Sequence, residues 1–168
     1  MSLQIRQAQM DNVDDVSGAL MEVAAWLEQS GMTLWRDNEL LPEKIREEVE
    51  AGLFYVAELQ GEIAGVIRFQ LEDETVWPGS HADNAAYIHR LAVRRKFAGG
   101  QVSIGLLNWA VERTRLLGRQ YLRLDTEAGR PRVRAIYENF GFQLHSEIQI
   151  GPYYVAKYQY PVNVSSSS

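Results

Sequence analysis

The sequence predicts an α/β domain: a mixed sheet of about seven strands with helices on both faces. Three observations carry this reading. Segments with two-residue apolar alternation interleave with segments of helical spacing in the order β-α-α-β-β-β-α-β-α-β-β. Glycine or proline punctuates most of the junctions between them. The strand–helix–strand run between residues 85 and 125 is long enough for a right-handed parallel crossover, while the short turns elsewhere demand antiparallel neighbours.

Leu3 to Ala8 alternates apolar and polar residues and reads as the opening strand. Asp11 or Asn12 caps a helix in which Val13, Val16, Leu20, Val23 and Leu27 share one face, and Gly31 ends it. Pro42 opens a second helix carrying Ile45 and Val49, and Gly52 stops it. Strands follow at Leu53 to Leu59 and Ile63 to Leu71, joined through Gln60-Gly61. The acidic stretch Glu72 to Asn84, with Pro78 and Gly79, reads as a loop whose one large apolar side chain is Trp77. Ala85 to Val93 is the next strand. Ser103 to Leu117 is a helix with Ile104, Leu107, Val111 and Thr114 on one face, closed by Gly118. Tyr121 to Asp125 is a strand, and Pro131 to Phe140 a helix with Val133, Ile136, Tyr137 and Phe140 on one stripe and Gly141 at its C-terminal turn. Phe142 to Ile150 and Tyr153 to Tyr160 form a closing hairpin turned at Gly151-Pro152. Residues 1–162 read as a single domain and 163–168, rich in serine, as a disordered tail.

Composition narrows the function. A chain of 168 residues with 46% apolar and 23% charged residues has the balance of a soluble domain able to bury a core. No window approaches the roughly 20 apolar residues of a membrane span, and the first residues lack a secretory apolar core, so the expected location is cytoplasmic. The net charge of −5 argues against a nucleic-acid partner, which calls for a basic face. With no cysteine in the chain, disulfides, thiol nucleophiles and thiolate metal sites are excluded. His81 and His145 have no ligand-like spacing, so no metal is expected.

The segment Arg94-Arg95-Lys96-Phe97-Ala98-Gly99-Gly100-Gln101-Val102-Ser103 joins a strand to a helix N-terminus. Small residues let backbone N–H groups approach a pyrophosphate, the helix dipole favours its charge, and three cations stand beside it. From the residues alone, the loop suits equally a phosphate cradle and a tight turn beside a solvated basic run. It matches neither the dinucleotide fingerprint nor the lysine-containing nucleotide loop.

Ile88-His89-Arg90-Leu91-Ala92-Val93, this loop, Leu106-Leu107-Asn108-Trp109-Ala110, Leu122-Arg123-Leu124-Asp125 and Ala135-Ile136-Tyr137-Glu138-Asn139-Phe140-Gly141-Phe142 together resemble the GNAT superfamily of N-acetyltransferases. The order of elements before and after these segments agrees, so the resemblance spans nearly the whole chain. It implies a GNAT-like fold with acetyl-CoA as co-substrate. By the same resemblance the main chain of Leu91, Ala92 and Val93 pairs with the pantetheine arm. Lys96 and the loop Ala98, Gly99, Gly100, Gln101, Val102 and Ser103 hold the pyrophosphate. The loop departs from the family pattern at Ala98, Gln101 and Ser103, and Arg130 replaces an asparagine that often contacts the arm.

Tyr137 matches the tyrosine that protonates the departing thiolate, and a phenol on a helix face suits that task. His89 is the candidate base, since imidazole titrates near neutrality and two-residue alternation puts Tyr87, His89, Leu91 and Val93 on one face of the strand. Asp125 either acts on the substrate or caps a turn. Trp35 and Trp77 lie in segments that wall the acceptor pocket in this family, whereas Trp26 and Trp109 suit the core. Glu74, Asp83 and Glu127 read as solvated loop acids.

The resulting expectation is direct attack of a primary amine on acetyl-CoA, with a small-molecule amine favoured over a protein and a homodimer as one assembly known among such enzymes. A backbone N–H near Leu91 to Val93 would polarise the thioester carbonyl. The alternatives are a non-catalytic acyl-CoA-binding or interaction module, and an acetyltransferase for proteins or peptides.

Overall fold

A computed structural model describes residues 2–29 and 40–162. The elements are β1 (Gln4–Gln7), α1 (Val13–Gln29), α2 (Pro42–Glu50), β2 (Phe54–Leu59), β3 (Glu62–Gln70), β4 (Ala85–Val93), α3 (Gln101–Leu116), β5 (Tyr121–Glu127), α4 (Pro131–Phe140), β6 (Gln143–Ile150) and β7 (Tyr153–Pro161). The strands form one seven-stranded sheet in the order β1-β2-β3-β4-β5-β7-β6. It is mixed: β4 and β5 run parallel, whereas β1–β2, β2–β3, β5–β7 and β6–β7 pair antiparallel. The fold class and the order of elements along the chain follow the sequence reading.

The chain divides into two compact units, Met1–Phe69 with Arg90–Trp109, and Gln70–His89 with Ala110–Ser168. The first unit has its core where α1 and α2 bury Val13, Val16, Ala19, Leu20, Ile45 and Val49 against Phe54, Val56, Val66 and Ala92. Gly65 permits a close approach of β3 to α3, since an added Cβ would meet the Ala92 carbonyl oxygen at 3.0 Å and Val102 Cγ1 at 3.1 Å. Tyr55, Phe69 and Trp109 pack edge-on or tilted against one another, with the Tyr55 and Trp109 centroids 4.5 Å apart. The second unit buries Trp77, Ala85 and Tyr87 together, and gathers Tyr137, Phe140, Phe142 and Tyr160 into an aromatic group.

Several expectations are corrected. Helix α3 begins at Gln101, two residues earlier than the spacing predicts, and its buried stripe is Val102, Leu106, Leu107, Ala110 and Thr114; Ile104 is exposed. Ile104 stands two residues, about 200° of helix rotation, from both Val102 and Leu106, so it faces away from that stripe. In α4, Ile136 likewise faces outward. Trp26 does not enter the core: it is 39% exposed and lies under the Arg95 guanidinium, 3.7 Å from its centroid. Strand β5 extends through Glu127 because β7 pairs with it that far.

The strand β4 also breaks its own alternation. Arg90 has φ +55°, a left-handed conformation uncommon for a residue with a side chain. The two-residue face shared by Tyr87 and His89 is therefore interrupted before Leu91 and Val93, and Ala92 beyond the break is buried in the helix-lined core.

Candidate active site

The loop between β4 and α3 lies wholly in the first unit. A short 3-10 turn, Arg95–Phe97, is followed by Gly99 at φ +131° and Gly100 at φ +95°, conformations that favour glycine. The first helical bond of α3 runs from the Ile104 N–H to the Gly100 carbonyl, at 2.9 Å. The N–H groups of Gln101, Val102 and Ser103 thus belong to the open first turn, the usual place for an anion. Space is open around Gly99, where an added Cβ would meet nothing within 4 Å. The departures from the family pattern do not obstruct this turn: Gln101 is exposed, Val102 is buried, and the Ser103 hydroxyl turns back to donate to the Gly100 carbonyl. The residues present fit a pyrophosphate.

The adjacent cations are already engaged. Arg94 reaches Glu22 and the Asp15 carbonyl, Arg95 covers Trp26, and Lys96 pairs with Glu62 at 2.9 Å. Both members of the Lys96–Glu62 pair are exposed, so exchanging Glu62 for a phosphate would sacrifice at most about 1 kcal/mol. Leu91 and Val93 are half-buried and Ala92 buried.

The acid–base candidates lie in the second unit. The parallel β4–β5 ladder runs from Ala85–Tyr121 to Tyr87–Arg123. One step further along the same face, His89 on β4 and Asp125 on β5 bring Nδ1 and Oδ1 to 3.6 Å. The other ring nitrogen, Nε2, is 3.0 Å from Asp73 Oδ2. Asp73 comes from the loop before β4 and is only 8% exposed. Its backbone N–H donates to Ser80 Oγ at 2.7 Å, its carbonyl accepts from the Trp77 N–H at 2.8 Å, and its Oδ1 accepts from the Val76 N–H. The three side chains could together hold a cation, but each ring nitrogen faces its own carboxylate, the arrangement of an imidazole held between two acids.

Tyr137 is presented by α4. Pro131 starts that helix, and the Tyr137 carbonyl closes it by accepting from the N–H groups of Gly141 and Phe142. Its ring packs edge-on against Phe142, 5.8 Å between centroids. Burial pushes the phenol up to about 12, and the negative charge of Asp125 adds to the rise. One carboxylate therefore stands at the imidazole and adds to the rise of the phenol.

Trp77 is 4% exposed, so its ring lies within the protein. The Arg123 guanidinium lies 4.4 Å and the Lys157 ammonium 4.3 Å from its centroid, contacts worth about 1–2 kcal/mol each when desolvated. Arg123 also donates to the Tyr87 hydroxyl and to Asp83. Burial and then Arg123 push the Lys157 ammonium down, against Asp125 and Asp73. Trp35 lies outside the described residues.

Other loop acids have structural partners. Glu74 accepts from Ser80 Oγ, the His81 N–H and the Gly79 N–H, which with these donors hold it down to about 2. Glu127 pairs with Arg130, which is 6% exposed at the start of α4. The sequence reading missed Asp73, Arg123 and Lys157. Strand alternation could have placed Arg123 beside Asp125, but nothing in the sequence marks Asp73 as the buried acid of its loop.

Comparison with known proteins identifies the family and agrees with the fold. The acetyltransferase (GNAT) family model matches residues 20–142, most of the chain, and the protein belongs to that family. Membership makes it an acyltransferase with acetyl-CoA as its acetyl donor. Among relatives, the uncharacterized N-acetyltransferase YesJ of Bacillus subtilis (strain 168) is 27% identical over 140 residues, 79% of this chain and 77% of that protein. A GNAT-family acetyltransferase from Listeria monocytogenes superposes with a TM-score of 0.79 at 23% identity, covering 95% of this chain and 94% of that one. YncA from Salmonella typhimurium, solved with acetyl-CoA, gives 0.72 at 14% identity over 100% of this chain and 98% of that one. Among the described residues no helix is long and apolar enough to cross a membrane.

Proposed function

We propose that the protein acetylates a primary amine by direct attack on acetyl-CoA, with His89 as base and Tyr137 as hydrogen-bond donor to the leaving sulfur. The observation that carries this is Asp125, whose carboxylate faces the His89 ring at 3.6 Å and whose charge is felt by the Tyr137 phenol. Acetyl-CoA supplies an electrophilic thioester carbonyl. The loop Ala98 to Ser103 suits its pyrophosphate through backbone N–H groups and the start of α3.

His89 takes a proton from the incoming ammonium, directly or through water, and Asp125 offers a second acceptor to the same group. The neutral amine then forms the C–N bond as the C–S bond breaks. The nitrogen sheds a second proton, so one proton ends on the thiol and one in solvent. A phenol at about 12 gives up its proton less readily than a thiol near 8.5, so outright transfer to the sulfur is roughly 5 kcal/mol uphill. What Tyr137 supplies is therefore chiefly a hydrogen bond that strengthens as charge develops on sulfur. With no cysteine in the chain, no acyl-cysteine intermediate forms, and the amine attacks the thioester itself.

The test is release of free thiol from acetyl-CoA across polyamines, amino acids, aminoglycosides, aralkylamines and peptides. Tyr137→Phe should lower kcat about 10- to 100-fold and leave the acetyl-CoA Kd unchanged. Thiol release with none of these amines, or an unchanged kcat in the variant with an active amine, would sink the assignment.

A further inference from the structure

We propose that Asp73 is the positioning residue of His89: it holds the proton on Nε2 and so makes Nδ1, the nitrogen beside Asp125, the one that accepts the substrate's proton. The proposal rests on the base role given to His89 above.

A neutral imidazole carries one proton, and its site is set by the partner of each nitrogen. Here both nitrogens face carboxylates, at 3.0 Å for Nε2 and 3.6 Å for Nδ1. The nearer one belongs to Asp73, whose backbone and side chain are fixed by Ser80, Trp77 and Val76 within the loop. Ser80 is fully buried and donates in turn to Glu74. That anchoring leaves Asp73 little freedom to leave the ring. The Nε2 contact is at ion-pair distance but not in line with the ring N–H, and the terminal torsion of histidine is a soft one about which the ring can turn.

Asp125 is differently placed. It stands directly across the β5–β7 ladder from Lys157, a buried cation that shares its charge, and lies farther from the ring. The Nε2–H tautomer is thus favoured, and it leaves the Nδ1 lone pair facing Asp125 Oδ1. Two acceptors 3.6 Å apart repel each other unless a donor lies between them. An ammonium meets both at once, giving one hydrogen to Nδ1 and a second to Oδ1. The cluster thereby selects a protonated primary amine over a hydroxyl, which has one hydrogen to give.

The experiment measures the His89 ring tautomer by long-range nitrogen–proton NMR in the full chain, where no substrate is needed. Wild type should show the Nε2–H form. Asp73→Asn should shift it toward Nδ1–H, because the asparagine amide can donate to Nε2 and only Asp125 remains as a carboxylate. Asp73→Glu should restore part of the Nε2–H population. With the fastest amine of the panel, Asp73→Asn should cost about 10²- to 10⁴-fold in kcat/KM, as a wrong tautomer does in hydrolytic triads, without changing the acetyl-CoA Kd. An Nδ1–H tautomer in wild type, or a tautomer unmoved in Asp73→Asn, overturns the proposal. If His89→Gln instead retains full activity, the base role fails while the NMR result still decides whether Asp73 holds the ring.

Discussion

Asp125 on β5 is the direct cross-strand partner of Lys157 on β7, and the same carboxylate faces the imidazole of His89. It is therefore shared among a buried cation, a base candidate and, through its charge, the phenol of Tyr137.

Asp125→Asn keeps the shape and removes the charge. The Tyr137 phenol should then titrate below about 12 yet stay above the ordinary tyrosine range, since burial is the larger cause of its rise. Lys157 should move further down, because Asp125 is one of the groups holding it up. Turnover should fall by about 10²-fold as the ammonium loses a charged acceptor. Phenolate absorbance against pH and thiol release read the two effects; a phenol that does not move would detach Tyr137 from this carboxylate.

Glu74 gives an acid-sensitive loop. Its folded value of about 2 lies below the ordinary 4.5, so its contribution is complete above pH 4.5 and is lost as pH falls from there through about 2. Hydrogen exchange at the Gly79 and His81 amides, which donate to Glu74, should accelerate over that window relative to intrinsic rates. In Glu74→Gln the acceleration should vanish and protection should be lower throughout. Equal protection in both proteins would show that the carboxylate does not hold the loop.

Gly65→Ala tests the close packing in the first unit. The new methyl would stand 3.0 Å from a backbone carbonyl and 3.1–3.2 Å from Val102 and Leu106, with no flexible side-chain end to yield at the carbonyl. A loss of about 1–3 kcal/mol is expected, read from the urea midpoint at unchanged slope. A midpoint equal to wild type would mean that β3 shifts freely at that point.

The elements were legible because each carries its own local signal. Pro42 and Pro131 mark helix starts, Gly141 a helix end, and Gln60-Gly61 a tight hairpin. The paired acid of the site was not legible, for two reasons. Asp73 and Glu74 are adjacent acids in one acidic loop, and their opposite fates depend on where Ser80 folds back. Lys157 looks like any polar residue of an alternating strand until the β5–β7 register sets it against Asp125. His89 and Tyr137 were visible by residue chemistry and family resemblance, whereas the link between them through Asp125 needed the three-dimensional pairing. The left-handed Arg90 carries no sequence mark at all, since its residue type does not ask for that backbone.

Around Ser80 the loop over residues 72–84 is fastened to itself, through Asp73 to Ser80 and through Glu74 to Ser80, Gly79 and His81, while Trp77 and Asp83 tie it to Arg123 and Lys157 of the sheet. To the candidate site it brings the Asp73 carboxylate at the histidine ring. Such a segment is a natural cassette. A library that varies the loop around Asp73 and keeps Trp77 and Asp83 can recast the charge beside the imidazole, and with it the range of acceptors, while leaving the loop's contacts with the sheet in place.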